Sequence, residues 1–131
     1  MQKIEITDHA YDRIKERMGL NKKAANRIVP VAYRDGIQHS ETTGTLYRYI
    51  GSLTRSYMKK GACFKIYGEN VFCFVNQKDR ESGEKIGILL TVWIIPKDYR
   101  KQVLGLQRKK KEERRKELLI YSKVYDVIKS I

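Results

Sequence analysis

Ala62–Val75, ACFKIYGENVFCFV, followed by Ile86–Ile95, IGILLTVWII, is the part of the chain whose reading decides the fold. Ala62–Tyr67 and Val71–Val75 are short runs rich in aromatic and β-branched residues. The turn-forming Gly68-Glu69-Asn70 lies between them, and together they predict a β-hairpin. Alternation puts Phe64 and Ile66 on one face of the first strand and Lys65 and Tyr67 on the other. Ile86–Ile95 is too short to span a bilayer and is predicted to be a central strand, stopped by Pro96. Strict alternation gives Ile88, Leu90, Val92 and Ile94 to one face and Leu89, Thr91, Trp93 and Ile95 to the other. The polar stretch between hairpin and strand, Asn76–Lys85 (NQKDRESGEK), reads as an exposed, mobile loop.

Upstream of this sheet the period changes from two to between three and four. Gln2–Ile6 alternates and fits either a short first strand or an extended lead-in. In Thr7–Leu20 (TDHAYDRIKERMGL) the residues Ala10, Tyr11, Ile14 and Met18 form an apolar helical stripe. Thr7 or Asp8 is suited to cap its start and Gly19 to end it. Asn21 caps a second predicted helix, Lys22–Asp35, in which Pro30 forces a kink or a fresh turn. Ile37–Thr45 is a polar connection with turn chemistry. Leu46, Tyr49, Ile50, Leu53 and Tyr57 then predict a third helix, to about Lys60.

Downstream, Lys97–Ile131 reads as helix in two unlike parts. Gly105–Glu117 (GLQRKKKEERRKE) has almost nothing to bury. Leu118, Tyr121, Val124, Tyr125 and Ile128 restore an apolar face, which must dock on the chain's own core or on another subunit; a homodimer through residues 118–131 is one expectation. The order of elements predicts an α+β fold. Its core domain, residues 1–96, has helices covering one face of a small antiparallel sheet. A basic helical extension, residues 97–131, follows.

Composition narrows the function classes. The 131 residues carry 28 basic against 15 acidic side chains, a net charge of +13, and residues 97–131 hold 12 of the former and 5 of the latter. An excess of this size favours polyanionic partners through counterion release, so RNA or another nucleic acid, the ribosome included, is the expected client. No basic-then-apolar leader opens the chain and no apolar run spans a membrane. The expected setting is cytoplasmic, without a membrane partner. Cys63 and Cys73 suit that compartment as reduced core thiols. Two cysteines and two histidines without finger-like spacing supply no zinc site, and no cofactor is called for.

Within the first helix His9, Arg13 and Arg17 recur every four residues and so stack along one stripe. Histidine's ordinary pKa lies near neutrality, which suits proton transfer, while arginines steady phosphate oxygens through several N–H donors. Thr91, a polar residue in an apolar strand, is the candidate partner for His9 and Arg13 if the two elements share a cleft. An ordinary wet helix face, with the arginines paired to Asp12 or Glu16, explains the same stripe. Candidate nucleic-acid contacts are Arg17, Arg48 (between Tyr47 and Tyr49), Lys65 and Tyr67, together with the run holding Arg108, Lys109, Lys110, Lys111, Arg114 and Arg115. His39, in a polar loop, is a secondary candidate.

The opening ITDHAYDRIKERMGL resembles the H-A-x-x-R-x-x-x-R helix of BrnT-like and related small phage and bacterial proteins, within the RelE-like and barnase/colicin-like ribonuclease folds. FKIYGENVFCFV as hairpin and ILLTVWIIP as last strand extend the likeness over roughly residues 4–95. The resemblance implies metal-independent endoribonuclease activity of toxin type, often ribosome-associated. His9 and Arg13 would be its first-helix polar residues and Thr91 its last-strand hydroxyl. The basic tail and the long third helix depart from that pattern. They point instead to a non-catalytic phage or mobile-element binding protein that acts on nucleic acid or inhibits a host defence complex.

Overall fold

The computed structural model describes residues 3–58 and 61–130, apart from the side chains of Ser56 and Met58. Gln2, Lys60 and Ile131, which bound predicted elements, lie outside the described residues. Five strands and four helices follow one another as β1 (Lys3–Ile6), α1 (Asp8–Met18), α2 (Lys22–Asp35), β2 (Ile37–Gln38), α3 (Gly44–Met58), β3 (Cys63–Tyr67), β4 (Asn70–Lys78), β5 (Lys85–Ile94) and α4 (Lys97–Ser130). A single 3-10 turn, His39–Glu41, joins β2 to α3.

The strands form one mixed sheet in the order β1-β5-β4-β3-β2, so the fold is α+β. The antiparallel sheet expected from the sequence holds for four strands; β1 lies parallel to β5 at the far edge. The hairpin pairs Tyr67 with Asn70 and Cys63 with Phe74. Beyond it the β4–β5 ladder runs on through Gln77–Ile86 to Lys78–Lys85. The ten-residue mobile loop is therefore a short closed turn, in which the Asp79 carboxylate accepts from the Glu81 N–H and the Ser82 hydroxyl.

Helices cover both faces of the sheet, not one. On the first face Ala10 and Ile14 of α1 and Ala25, Val29 and Ala32 of α2 pack on Phe72, Phe74, Leu89 and Val92. On the second, Leu46 and Ile50 of α3 and Val103 of α4 close over Phe64, Ile66, Val71, Cys73 and Ile95. A strand buried on both sides needs apolar residues on both, which is why Ile86–Ile95 reads as a continuous apolar run. Fully burying each large side chain contributes about 1.5–3 kcal/mol, so both layers carry stability.

Strict alternation fails along β5. Cys73 pairs with Thr91 but Phe74 with Leu89, leaving Leu90 as the extra residue of a β-bulge. Leu90 therefore joins the second core, as Trp93 does, whereas Leu89 and Val92 face the first.

The helix boundaries follow from capping chemistry. The Thr7 side chain accepts from the Ala10 N–H at 3.1 Å and donates to the Leu89 carbonyl, which ties the start of α1 to β5. Gly19 ends α1 in the left-handed region at φ 69°. The α2 helix runs through Pro30 without a break; the proline is exposed and lies on the solvent side. At its end Gly36 is required by proximity, because a Cβ there would lie 2.4 Å from the Ala32 carbonyl oxygen and 2.8 Å from the Lys65 Cβ. Ile37, read as the start of a polar connection, is buried and pairs with Ile66 as an edge strand.

The α4 helix is continuous for 34 residues, about 51 Å at the helical rise. Its first half belongs to the core domain: Val103 is 2% exposed and Leu106 packs beside it. From Lys111 on every described residue is exposed, so the structural extension starts well after residue 97. No helix among the described residues is long and apolar enough to cross a membrane.

Candidate polyanion-binding groove

Because β2 is only two residues long, the edge of β3 beyond Ile66 is not paired by a neighbouring strand. The α4 helix passes this open corner with Gln107, Lys110, Lys111 and Arg114 toward it, the i, i+3, i+4, i+7 spacing of one helical face. Between them lies a groove of about 460 Å³ whose apolar floor is Ile37 and Ile66 and whose rim includes Tyr67.

Each polar wall residue except Lys111 has an identifiable anchor. Gln107 Nε2 donates to the Gly68 carbonyl at 3.1 Å. Lys110 Nζ donates to the Gly36 carbonyl at 2.9 Å and to Glu41 Oε1 at 3.1 Å. Arg114 reaches Asp35 Oδ1 at 3.0 Å, while Arg34 grips the same carboxylate through Nε and Nη2, each at 3.0 Å. Lys111 makes no ion pair among the described residues. Arg34 and Arg114 thus act on Asp35, Lys110 and Lys65 act on Glu41, and with Lys111 on the same wall the corner is positive overall.

The electrostatics of the two acids follow from these contacts. Hydrogen bonds from Arg34, reinforced against partial burial by Arg114, hold the Asp35 carboxyl below its ordinary value. Burial pushes Glu41 up, but the Gln38 N–H and Lys110 outweigh it and leave Glu41 below its ordinary value too. Both acids stay ionised at neutral pH and position the cations. Lys111 is the charge with nothing to satisfy it but solvent or a ligand.

Of the residues singled out in the sequence, Tyr67, Lys110, Lys111 and Arg114 are brought together here. Arg108, Lys109 and Arg115 are exposed on other aspects of α4, and Arg48 is exposed on α3. Lys65 lies at the same sheet edge with its ammonium 5.9 Å from the centre of the Tyr33 ring. Arg34 and Gln107 were missed. For Gln107 the available signal was its place on the helical face of Lys110, Lys111 and Arg114. For Arg34 it was the Arg-Asp-Gly ending of a helix.

The first-helix stripe is not assembled into a site with Thr91. His9 is exposed on the outer side of α1. Arg13 donates to Glu16 Oε2 at 2.7 Å, and Arg17 is taken up by the backbone carbonyl of Val92. Thr91 is 3% exposed and pairs with Cys73, so it faces the α3 and α4 layer. The sheet itself stands between Thr91 and the helix that carries His9 and Arg13, and no shared cleft exists.

His39 is likewise a packing residue. Its ring stacks on Tyr47 at 4.2 Å and its Nε2 is 2.9 Å from the Tyr47 carbonyl oxygen. Tyr49 stacks on Tyr99 at 4.9 Å and turns inward, while Tyr47, stacked on His39, stays 46% exposed. Both cysteines are free, and burial pushes the Cys73 thiol up to about 12, which leaves it unreactive.

No family model, no curated protein and no solved structure matches this chain.

Proposed function

We propose that the protein binds RNA through the corner where α2, β3 and α4 meet, and that it binds without cutting. One observation carries this reading: Arg34, Lys110, Lys111 and Arg114 converge beside Tyr67 over a groove on a chain of net charge +13. Guanidinium and ammonium groups spaced along one helical face suit successive backbone phosphates, and a tyrosine at the rim offers a base a ring to lie against. Asp35 and Glu41 keep the cations in place when no ligand is present. Ribosomal RNA is a polyanion of the same chemistry. The sheet between Thr91 and the helix of His9 and Arg13 speaks against cleavage by that set, whose members would have to meet at one phosphate.

The test is fluorescence anisotropy with a labelled single-stranded RNA over a series of salt concentrations. Lys111→Glu, which breaks no internal ion pair among the described residues, is expected to weaken binding about tenfold and to shallow the salt dependence by roughly one to two phosphate contacts. His9→Ala is expected to leave affinity unchanged. An unchanged affinity for Lys111→Glu would overturn the assignment of the groove. Cleavage of RNA in chelator that disappears in His9→Ala would overturn the non-catalytic reading in favour of the ribonuclease.

A further inference from the structure

We infer that the outer half of α4 is a self-association surface, on which a second copy of this chain lays the same helix antiparallel. Beyond Arg114, which is held by Asp35, all described residues of the helix are exposed. Half of its circumference is nonetheless apolar, centred on Tyr121, Val124 and Ile128, which are 71%, 52% and 65% exposed. A projecting helix of this length is marginal in water on its own, and its stability must come from packing that face. Apolar patches of this size on a single chain mark an interface.

The identity of the occupant follows from what a second chain has to offer. Elsewhere among the described residues the exposed large apolar side chains are Tyr47, Ile94 and Leu104, dispersed over α3, β5 and the first half of α4. None of these makes a receptor for a helix face, so the matching surface on a second copy is the same outer half of α4. A surface that recognises itself closes as a two-fold pair. Antiparallel pairing along the roughly 20 Å from Leu118 to Ser130 takes the half-exposed side chains of Leu118, Tyr121, Val124, Tyr125 and Ile128 out of water on each copy at once, a small apolar interface suited to association at micromolar concentration.

Charge sets the direction. The basic run Arg108–Lys116 ends just before the apolar face starts, and Leu118–Ser130 carries only Lys123, Asp126 and Lys129. Parallel pairing would lay two basic runs side by side. Antiparallel pairing puts them, and the two bodies, at opposite ends, and also opposes the helix dipoles favourably. A membrane surface is less well matched, because the polar half offers anionic lipid little net charge.

The experiment is sedimentation velocity on the full chain at micromolar concentration, with and without Val124→Glu/Ile128→Glu. The unaltered chain is expected to sediment as a dimer, and the double variant as a monomer with unchanged fluorescence of Trp93, the single tryptophan, in the body. Nitroxide labels at Lys109→Cys are expected about 45 Å apart in the antiparallel pair, against less than about 20 Å in a parallel one. A monomeric unaltered chain would overturn the proposal. So would a dimer indifferent to the double variant, a short label distance, or a monomer that binds anionic vesicles through this face.

Discussion

The two halves of α4 reverse what their compositions suggest. Lys97–Arg114 contains most of the basic run and is the half that is packed and tied: Val103 lies in the core, Gln107 and Lys110 reach backbone carbonyls, and Arg114 holds a carboxylate. Leu118–Ser130 contains the apolar residues and is the half left in solvent. Burial here follows from which neighbour each turn meets, and hydropathy alone does not settle it. The inner half meets an open sheet corner rich in carbonyls and acids. Long basic side chains satisfy such a corner better than leucines, since their stems pack while their heads donate.

The largest expected effect separates the halves by stability. Val103→Ala removes two methyl groups from the second core and should destabilise the body by about 2–3 kcal/mol. Val124→Ala changes an exposed residue and should leave the body within about 0.5 kcal/mol of the unaltered chain. Urea unfolding followed through Trp93, the single tryptophan, reads the body alone. Equal losses in the two variants would mean that the outer half is also part of the folded core.

A somewhat smaller effect approaches the inner half from the other side. Gly36 supplies the carbonyl that anchors Lys110, and its backbone sits against Ala32 and Lys65 too closely for a side chain. Gly36→Ala should therefore push α2 away from β3 and cost about 1–3 kcal/mol through overpacking. Amide exchange should also quicken around residues 107–114 and stay the same around residues 118–130. If exchange in the inner half does not respond, the Lys110 contact is incidental to its docking.

The contrast also marks how much could be read from the chain. Local chemistry was legible: Thr7, Gly19 and Asn21 bound the first two helices, and Gly68-Glu69-Asn70 turns the hairpin. These features depend on neighbours a few residues apart. What stayed hidden depends on distant partners. The bulge at Leu90 cannot be seen in a run that is apolar on both faces, yet it fixes which core Leu89 and Leu90 join. Ile37–Gln38 is too short to announce itself as a strand, yet its brevity opens the groove. Of the site, Tyr67, Lys110, Lys111 and Arg114 were found by residue type, whereas their convergence depends on α4 crossing the corner. Arg34 looked like one more surface cation because its partner, Asp35, is its own neighbour.

The smallest expected effect is the pH response of the inner half alone. Asp35 and Glu41 are both held below their ordinary values by the cations and N–H groups around them. A depressed carboxyl pKa contributes stability that is present above the unfolded-state value and is lost as pH falls through the folded-state one. The latch between α4 and the α2 corner should therefore be intact at pH 6–7 and loosen progressively below about pH 4. Asp35 should dominate, because its side chain is 18% exposed against 43% for Glu41, where solvent screens the Lys110 pair. Amide exchange of residues 107–114 between about pH 6 and pH 3, corrected for the intrinsic rate, follows this directly. Asp35→Asn should remove most of the acid step while raising the exchange rate at neutral pH. Glu117 and Asp126 of the outer half make no ion pair among the described residues, so that half should show no matching step. An acid transition shared by both halves would mean that the body unfolds as a whole before the latch releases.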